Sequence, residues 1–292
     1  MTRRILAATD LSAPSRHAVD RAYRLAAERG WQLTLAHAIP PGIFDELQAM
    51  LGGNAPSIAD SVAAEASRQL AALNEEPRRT HGVVADCRVL AGSPLAAITD
   101  FADRNGADLL VLGSRGEGFL RQMMLGSTAS RLLRKTRHPV LVVKQPPHES
   151  YRRVLVAIDF SVASRAALQQ VRKLAPEARL VLLHAVELPF EGKMQYANVD
   201  EDIIRRYRQE AQARALGKLR QLMAEEGLPE PETRLVALPG LPAQLILQQE
   251  QEEDCDLIVV GKHGVNLVEE LLLGSTTKHV LGESQGDVLV AN

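Results

Sequence analysis

Cysteine is nearly absent from this chain of 292 residues. Cys87 and Cys255 stand alone, far apart, with no CxxC pair or histidine-rich spacing around them. That excludes a zinc site built from such motifs and leaves both as small apolar residues. Net charge is nearly absent too. Lys plus Arg (34) almost balances Asp plus Glu (36), giving −2, so there is no general electrostatic pull toward nucleic acid. Long apolar runs are also missing. The opening MTRRILAATD carries too short a run for a signal sequence, and no later stretch approaches the length that spans a bilayer. The expected location is the cytoplasm, with no membrane partner.

What is present is ordinary globular material, 46% hydrophobic and 24% charged, in a length that favours two domains with a core each. The chain repeats itself in order. Arg4-Ile5-Leu6-Ala7-Ala8-Thr9-Asp10-Leu11-Ser12 returns as Arg153-Val154-Leu155-Val156-Ala157-Ile158-Asp159-Phe160-Ser161. Leu35-Ala36-His37-Ala38-Ile39 returns as Leu182-Leu183-His184-Ala185-Val186, and Asp108 to Gly113 returns as Asp256 to Gly261. Gly92-Ser93-Pro94 matches Gly240-Leu241-Pro242, and Val140-Leu141-Val142 matches Val288-Leu289-Val290. A repeat of this kind sets the architecture before any single element does. The copies meet near Gln145 to Ser150, whose prolines read as a linker, so the expected domains are 1–145 and 151–292.

Each copy alternates short β-rich runs with longer helical stretches, the pattern of a parallel sheet covered by helices. The first set is ILAAT, QLTLAHAI, CRVLA, LLVLG and VLVVK; the second is VLVAI, RLVLLHAV, TRLVAL, LIVVG and VLVA. Their nearly continuous apolar character fits strands buried on both faces. The expected fold is therefore α/β, two tandem open, parallel five-stranded sheets flanked by helices. Helices are expected over Ser15–Glu28, Ile58–Glu75, Pro94–Arg104 and Ile203–Glu226, with Ser12 and Ser93 as N-caps. Pro40 to Pro56 reads as a loop insertion. Trp31 reads as a packing residue, the charged 203–226 helix as a solvated face, and His37 and His184 as strand histidines rather than ligands.

In such sheets ligands sit at the carboxyl ends of strands where the winding reverses. Asp10 and Asp159 lie there, with ligand contact or helix capping as their two readings. So do two loops, Gly113-Ser114-Arg115-Gly116 to Gly126-Ser127-Thr128 and Gly261-Lys262-His263-Gly264 to Gly274-Ser275-Thr276. Both read G-x2-G-x9-G-S-T. Glycines let backbone amides approach phosphate oxygens, and a helix starting at Gly-Ser-Thr adds free N–H groups, a positive dipole end and two hydroxyl donors. A tight turn that needs glycine for its own sake is the alternative.

These motifs resemble the universal stress proteins, specifically the tandem kind with two domains in one chain, over nearly the whole length. The resemblance implies a Rossmann-like fold of the adenine nucleotide alpha hydrolase type. It implies ATP, ADP or AMP across the strand ends, with Mg as an accompanying ion. Asp10 or Asp159 would sit near the ribose or adenine, and the backbone of Ala38 or Ala185 beside the base. Gly113, Arg115, Gly116, Gly126, Ser127 and Thr128 would meet the phosphates in one half, and Gly261, His263, Gly264, Gly274, Ser275 and Thr276 in the other. Arg115 offers a fixed charge where His263 offers a pH-dependent one beside Lys262. His138-Pro139-Val140 resembles the family's lead into its last strand, whereas Gly286-Asp287-Val288 departs from it. The resemblance also implies an internal pseudo-dimer paired through Val140–Lys144 and Val288–Ala291, further homodimerisation, and a partner protein whose binding the nucleotide tunes in a stress response. Two competing readings are a slow ATPase or phosphotransfer enzyme and a scaffold or chaperone-like module without nucleotide. No Walker A lysine, carboxylate pair for two metals or aimed general base favours the enzyme.

Overall fold

A computed structural model describes residues 2–40, 55–114, 125–262 and 273–291. The chain divides into two compact units, the main break falling between Ser150 and Tyr151.

In the first unit, β1 (Arg4–Ala8), β2 (Gln32–Ile39), β3 (Asp86–Ala91), β4 (Leu109–Gly113) and β5 (Val140–Val143) form a sheet in the order β3-β2-β1-β4-β5. Every pairing in it is parallel. Helices α1 (Ala13–Arg29), α2 (Ala55–His81), α3 (Pro94–Asn105) and α4 (Ser127–Lys135) supply the crossovers. A parallel sheet needs such crossovers, and they cover both its faces. Ile5, Leu6, Leu35, Leu110 and Leu141 are consequently buried. Helix α1 starts at Ser12, whose hydroxyl accepts from the Ser15 amide at 3.4 Å, and stops at Gly30, where φ is 65°. Only glycine adopts that left-handed conformation without a steric cost.

Helix α2 extends beyond the expected 58–75 span at both ends, and tertiary partners hold its middle. Leu70 is fully buried, the Tyr23 hydroxyl donates to Asn74 Oδ1, and the Ala85 amide donates to the same oxygen at 3.4 Å. Ser93 occupies the N-cap position of α3 without making a side-chain capping bond. Of the expected loop from Pro40 to Pro56, residues 41–54 lie outside the described residues, and Ala55 and Pro56 already belong to α2.

The second unit repeats this plan. Its strands β6 (Arg153–Ala157), β7 (Arg179–Val186), β8 (Thr233–Pro239), β9 (Leu257–Gly261) and β10 (Asp287–Ala291) lie in the order β8-β7-β6-β9-β10, again wholly parallel. Around them run α5 (Val162–Leu174), α6 (Glu191–Tyr196), α7 (Glu201–Glu225), α8 (Pro242–Glu252) and α9 (Ser275–Glu283). Helix α7 is charged and mostly solvated, yet Ile204, Ala215, Leu219, Leu222 and Met223 form a buried stripe along it. The short α6 buries no side chain. Its Glu191 carboxylate instead accepts from the Arg208 guanidinium on α7.

The departure at Gly286-Asp287-Val288 has a local explanation. In the first unit His138 Nε2 meets Asp103 Oδ1 at 2.8 Å just before β5. In the second, Glu250 Oε1 accepts from the Gln285 and Gly286 amides at 3.0 and 2.7 Å, and Asp287 Oδ2 accepts from the Tyr151 hydroxyl at 2.6 Å. A Cβ at Gly286 would stand 3.0 Å from the Asp256 carbonyl oxygen, tight enough to favour glycine for this approach. The last strand itself is regular, pairing five residues with β9.

Candidate nucleotide site

In each sheet the first strand lies at the centre. The chain winds outward from it on one side through the next two strands, then returns to its other side for the last two. The winding therefore reverses between β1 and β4, and between β6 and β9. A crevice opens at the carboxyl ends of strands in that position.

The turn leaving β1 carries the first functional group. Asp10 Oδ1 accepts from the Ser12 amide at 3.1 Å and from the Ser12 hydroxyl at 2.5 Å, while Ser12 caps α1. Asp159 repeats this with Ser161, at 3.0 and 2.5 Å, and Ser161 caps α5. The serine is thus the helix cap, and the carboxylate holds the serine. Between them, Leu11 and Phe160 take φ values of 67° and 63°. Bulky residues rarely adopt this region, and it costs on the order of 1–3 kcal/mol. The same unfavourable turn in both copies places the carboxylate and the helix start side by side at the strand exit.

The glycine-bearing loops leave from Gly113 and Gly261, the last residues of β4 and β9. Backbone bonds pinch each loop shut. The Ser114 amide donates to the Val143 carbonyl, and the Gly126 amide to the Ser114 carbonyl, both at 2.9 Å. In the second unit Lys262 donates to Ala291 at 2.7 Å and Gly274 to Lys262 at 3.1 Å. Gly126 and Gly274 are the N-caps of α4 and α9, and neither helix start receives a side-chain capping bond. Unfilled N-terminal amides carrying the positive end of the helix dipole suit an anion. Ser127, Thr128 and Ser275 are exposed there, and Thr276 is half-buried. Thr277 ties α9 to its strand, donating to the Gly261 carbonyl at 2.9 Å. Arg115, Gly116, His263 and Gly264 lie outside the described residues.

Ala38 and Ala185 lie near the carboxyl ends of β2 and β7, beside the Asp10 and Asp159 turns. One contact that sequence reasoning passed over joins the same region. His37 Nδ1 is 2.9 Å from the Thr9 carbonyl and His184 Nδ1 is 2.7 Å from that of Ile158. The signal was available, since the histidine recurs at one register position of the repeat. In the second unit Phe160 packs on the His184 ring at 4.6 Å between centroids, with Lys218 Nζ 5.6 Å from the Phe160 ring.

A separate groove of about 590 Å³ opens at the opposite, amino-terminal ends of β1–β3, lined by Arg4, Trp31, Asp86, Arg88 and Phe101 among others. It contains none of the residues expected to bind nucleotide. The switch point offers strand-end carboxylates and open helix starts together, so the crevice there is the stronger site. Among the described residues, no group of three or more His, Cys, Asp or Glu side chains could hold a metal ion. Among the described residues, no helix is long and apolar enough to cross a membrane.

The universal stress protein family profile matches residues 1–144 and again 150–292. A universal stress protein of Mycolicibacterium smegmatis is 30% identical over a 302-position alignment that covers 98% of this chain and 96% of that one. A second, from Thermus aquaticus, is 33% identical over 142 positions, covering 48% of this chain and 98% of its own length. The crystal structure of a universal stress protein from Archaeoglobus fulgidus shares the fold, with a TM-score of 0.66 at 22% identity and coverage of 99% and 98% of the two chains. With both halves matched and full-length relatives of the same kind, the chain belongs to the universal stress protein family as a tandem member.

Proposed function

We propose that each half binds one adenine nucleotide, ATP before ADP or AMP, across the carboxyl ends of its central strands, and that occupancy tunes binding to a partner protein in a cytoplasmic stress response. The observation that carries this is the twin pair of helix starts at Ser127 and Ser275. Each is capped by glycine, lacks a side-chain cap and follows a loop pinched shut at the switch point. The phosphates meet those amides and the hydroxyls of Ser127, Thr128, Ser275 and Thr276. Gly113 and Gly261 open the loops, and Arg115, Gly116, His263 and Gly264 complete them. Asp10 and Asp159 face the ribose or base from the strand exits, and the Ala38 and Ala185 backbones lie beside the base. Any Mg ion would enter with the nucleotide phosphates.

The test is the nucleotide content of freshly purified protein, with ATP titration of wild type, Gly126→Val and Gly274→Val. A valine in the cap position crowds the phosphate approach, so each substitution should remove about half of a stoichiometry of two. Absence of both co-purified and titratable nucleotide would overturn the proposal in favour of a scaffold. Phosphate release from ATP over hours, abolished by joint Gly116→Val and Gly264→Val, would instead establish an enzyme.

A further inference from the structure

The parallel ladder between β1 and β2 breaks at one rung, and a histidine occupies the break. In a parallel pair, the N–H and C=O of alternate residues point to the same neighbour. Gln32 donates to the Arg3 carbonyl and Thr9 to the Ala36 carbonyl, both at 2.9 Å. Residues 32, 34, 36 and 38 therefore face β1, and the next rung would run from the Ala38 amide to the Thr9 carbonyl. Among the described residues that backbone bond is not made. The Thr9 carbonyl accepts instead from His37 Nδ1 at 2.9 Å. The second unit does the same. Arg179 donates to Arg152 at 2.9 Å and Ile158 to Leu183 at 2.8 Å, so the next rung would join the Ala185 amide to the Ile158 carbonyl. That carbonyl accepts from His184 Nδ1 at 2.7 Å. A carbonyl only accepts, so Nδ1 carries the proton in both rings.

We infer that His37 and His184 are positioning residues for base recognition. By taking the strand-end carbonyl they stop the ladder one rung early and leave the N–H and C=O of Ala38 and Ala185 turned toward the crevice. The inference rests on the proposed nucleotide site. Ala38 is only 8% exposed, and a buried backbone amide calls for a partner. An adjacent donor and acceptor on one extended residue complement the acceptor and amino donor on the Watson–Crick edge of adenine. Hypoxanthine reverses both groups on that edge. The histidines thus set the choice of base without touching it, and Phe160, packed at a tilt against His184, fixes the second ring further.

The test compares ATP with inosine triphosphate on full-length protein. Variants are the pair His37→Leu with His184→Leu and the pair His37→Asn with His184→Asn. Asparagine Nδ2 stands as many bonds from the backbone as imidazole Nδ1 and donates likewise. Wild type should prefer ATP by about tenfold or more, the worth of one well-placed hydrogen bond plus an avoided mismatch. The leucine pair should close the ladder and bring the ratio near one, and the asparagine pair should keep it within about threefold of wild type. A leucine pair with the wild-type ratio overturns the inference. So does a uniform loss of both nucleotides at constant ratio, or an asparagine pair that behaves like leucine.

Amide hydrogen exchange without nucleotide separates the two proposals. If wild type binds no nucleotide, the nucleotide-site reading fails. The rung-breaking part of the inference, without its claim on the base, then stands only if the Ala38 and Ala185 amides exchange about tenfold or more faster in wild type than in the leucine pair. It falls if they do not. If the leucine pair fails to fold, the asparagine pair decides through its ATP-to-inosine-triphosphate ratio: retention supports the inference and loss overturns it.

Discussion

Asp10-Leu11-Ser12 and Asp159-Phe160-Ser161 show how much one turn does with three residues. The aspartate holds the serine, the serine caps the helix, and the residue between them is forced to positive φ. The sequence displayed the aspartate and serine but not the strain, because φ at a single leucine or phenylalanine follows from what surrounds it. Ser161→Ala removes both the cap and a partner of Asp159. It should lower stability by about 1 kcal/mol in denaturant unfolding, with Ser12→Ala acting similarly in the first unit. The cysteines read from sequence as apolar fillers, and burial explains why Cys255 behaves as one. Desolvation outweighs the nearby Arg153 cation and, with Asp256, Glu253 and Glu250 adding to it, the thiol is pushed up to about 12. An unfolded cysteine ionises near pH ~8.5. The unfolded chain therefore sheds this proton first, and stability should fall as pH rises from about 9 toward 12. In the native protein at pH 8, Cys255 should resist iodoacetamide and become labelled only in denaturant, as mass spectrometry would report.

At the scale of elements, apolar runs located the ten strands of the described residues; strands buried on both faces have little choice of composition, whereas the edge strand β3 has no buried residue and is marked by its run alone. Helix limits were less legible. Leu70 and Asn74 hold the middle of α2 without marking its ends, and the short α6, whose Glu191 pairs with Arg208, has no apolar period that announces it. The entry to β10 is the clearest case of an element set by its neighbours. Gly286 is pressed against the Asp256 carbonyl, and its amide is held by Glu250. Gly286→Ala should cost about 1–3 kcal/mol through overpacking, measured as a shift in the denaturant midpoint. Glu250→Leu should cost a similar amount by leaving the Gln285 and Gly286 amides without this acceptor. Equal stability of both variants with wild type would show that the loop re-forms around the change.

For the whole molecule, the proposed pair of nucleotide sites implies that nucleotide and stability are linked. A ligand held only by the folded protein, present at a hundred times its Kd, stabilises by about 2.7 kcal/mol per site. Calorimetry should show ATP raising the unfolding temperature of wild type. Gly126→Val and Gly274→Val should each keep part of that rise, and the double variant should keep none. An equal rise in the double variant would place ATP elsewhere than the glycine loops.

The sequence by itself determined the duplication, the α/β class, the strand runs and the G-x2-G-x9-G-S-T loops. These are properties of residue type and spacing, and a buried strand or a close phosphate approach restricts residue type strongly. Only the tertiary structure decided that Asp10 and Asp159 hold the capping serine instead of capping the helix themselves, that Gly286 is pressed against the Asp256 carbonyl, and that a histidine replaces the last rung of each ladder. Each of those depends on which backbone groups meet across strands far apart in the chain. Hydrogen bonds of that kind leave a histidine or a glycine in the sequence without saying what it touches.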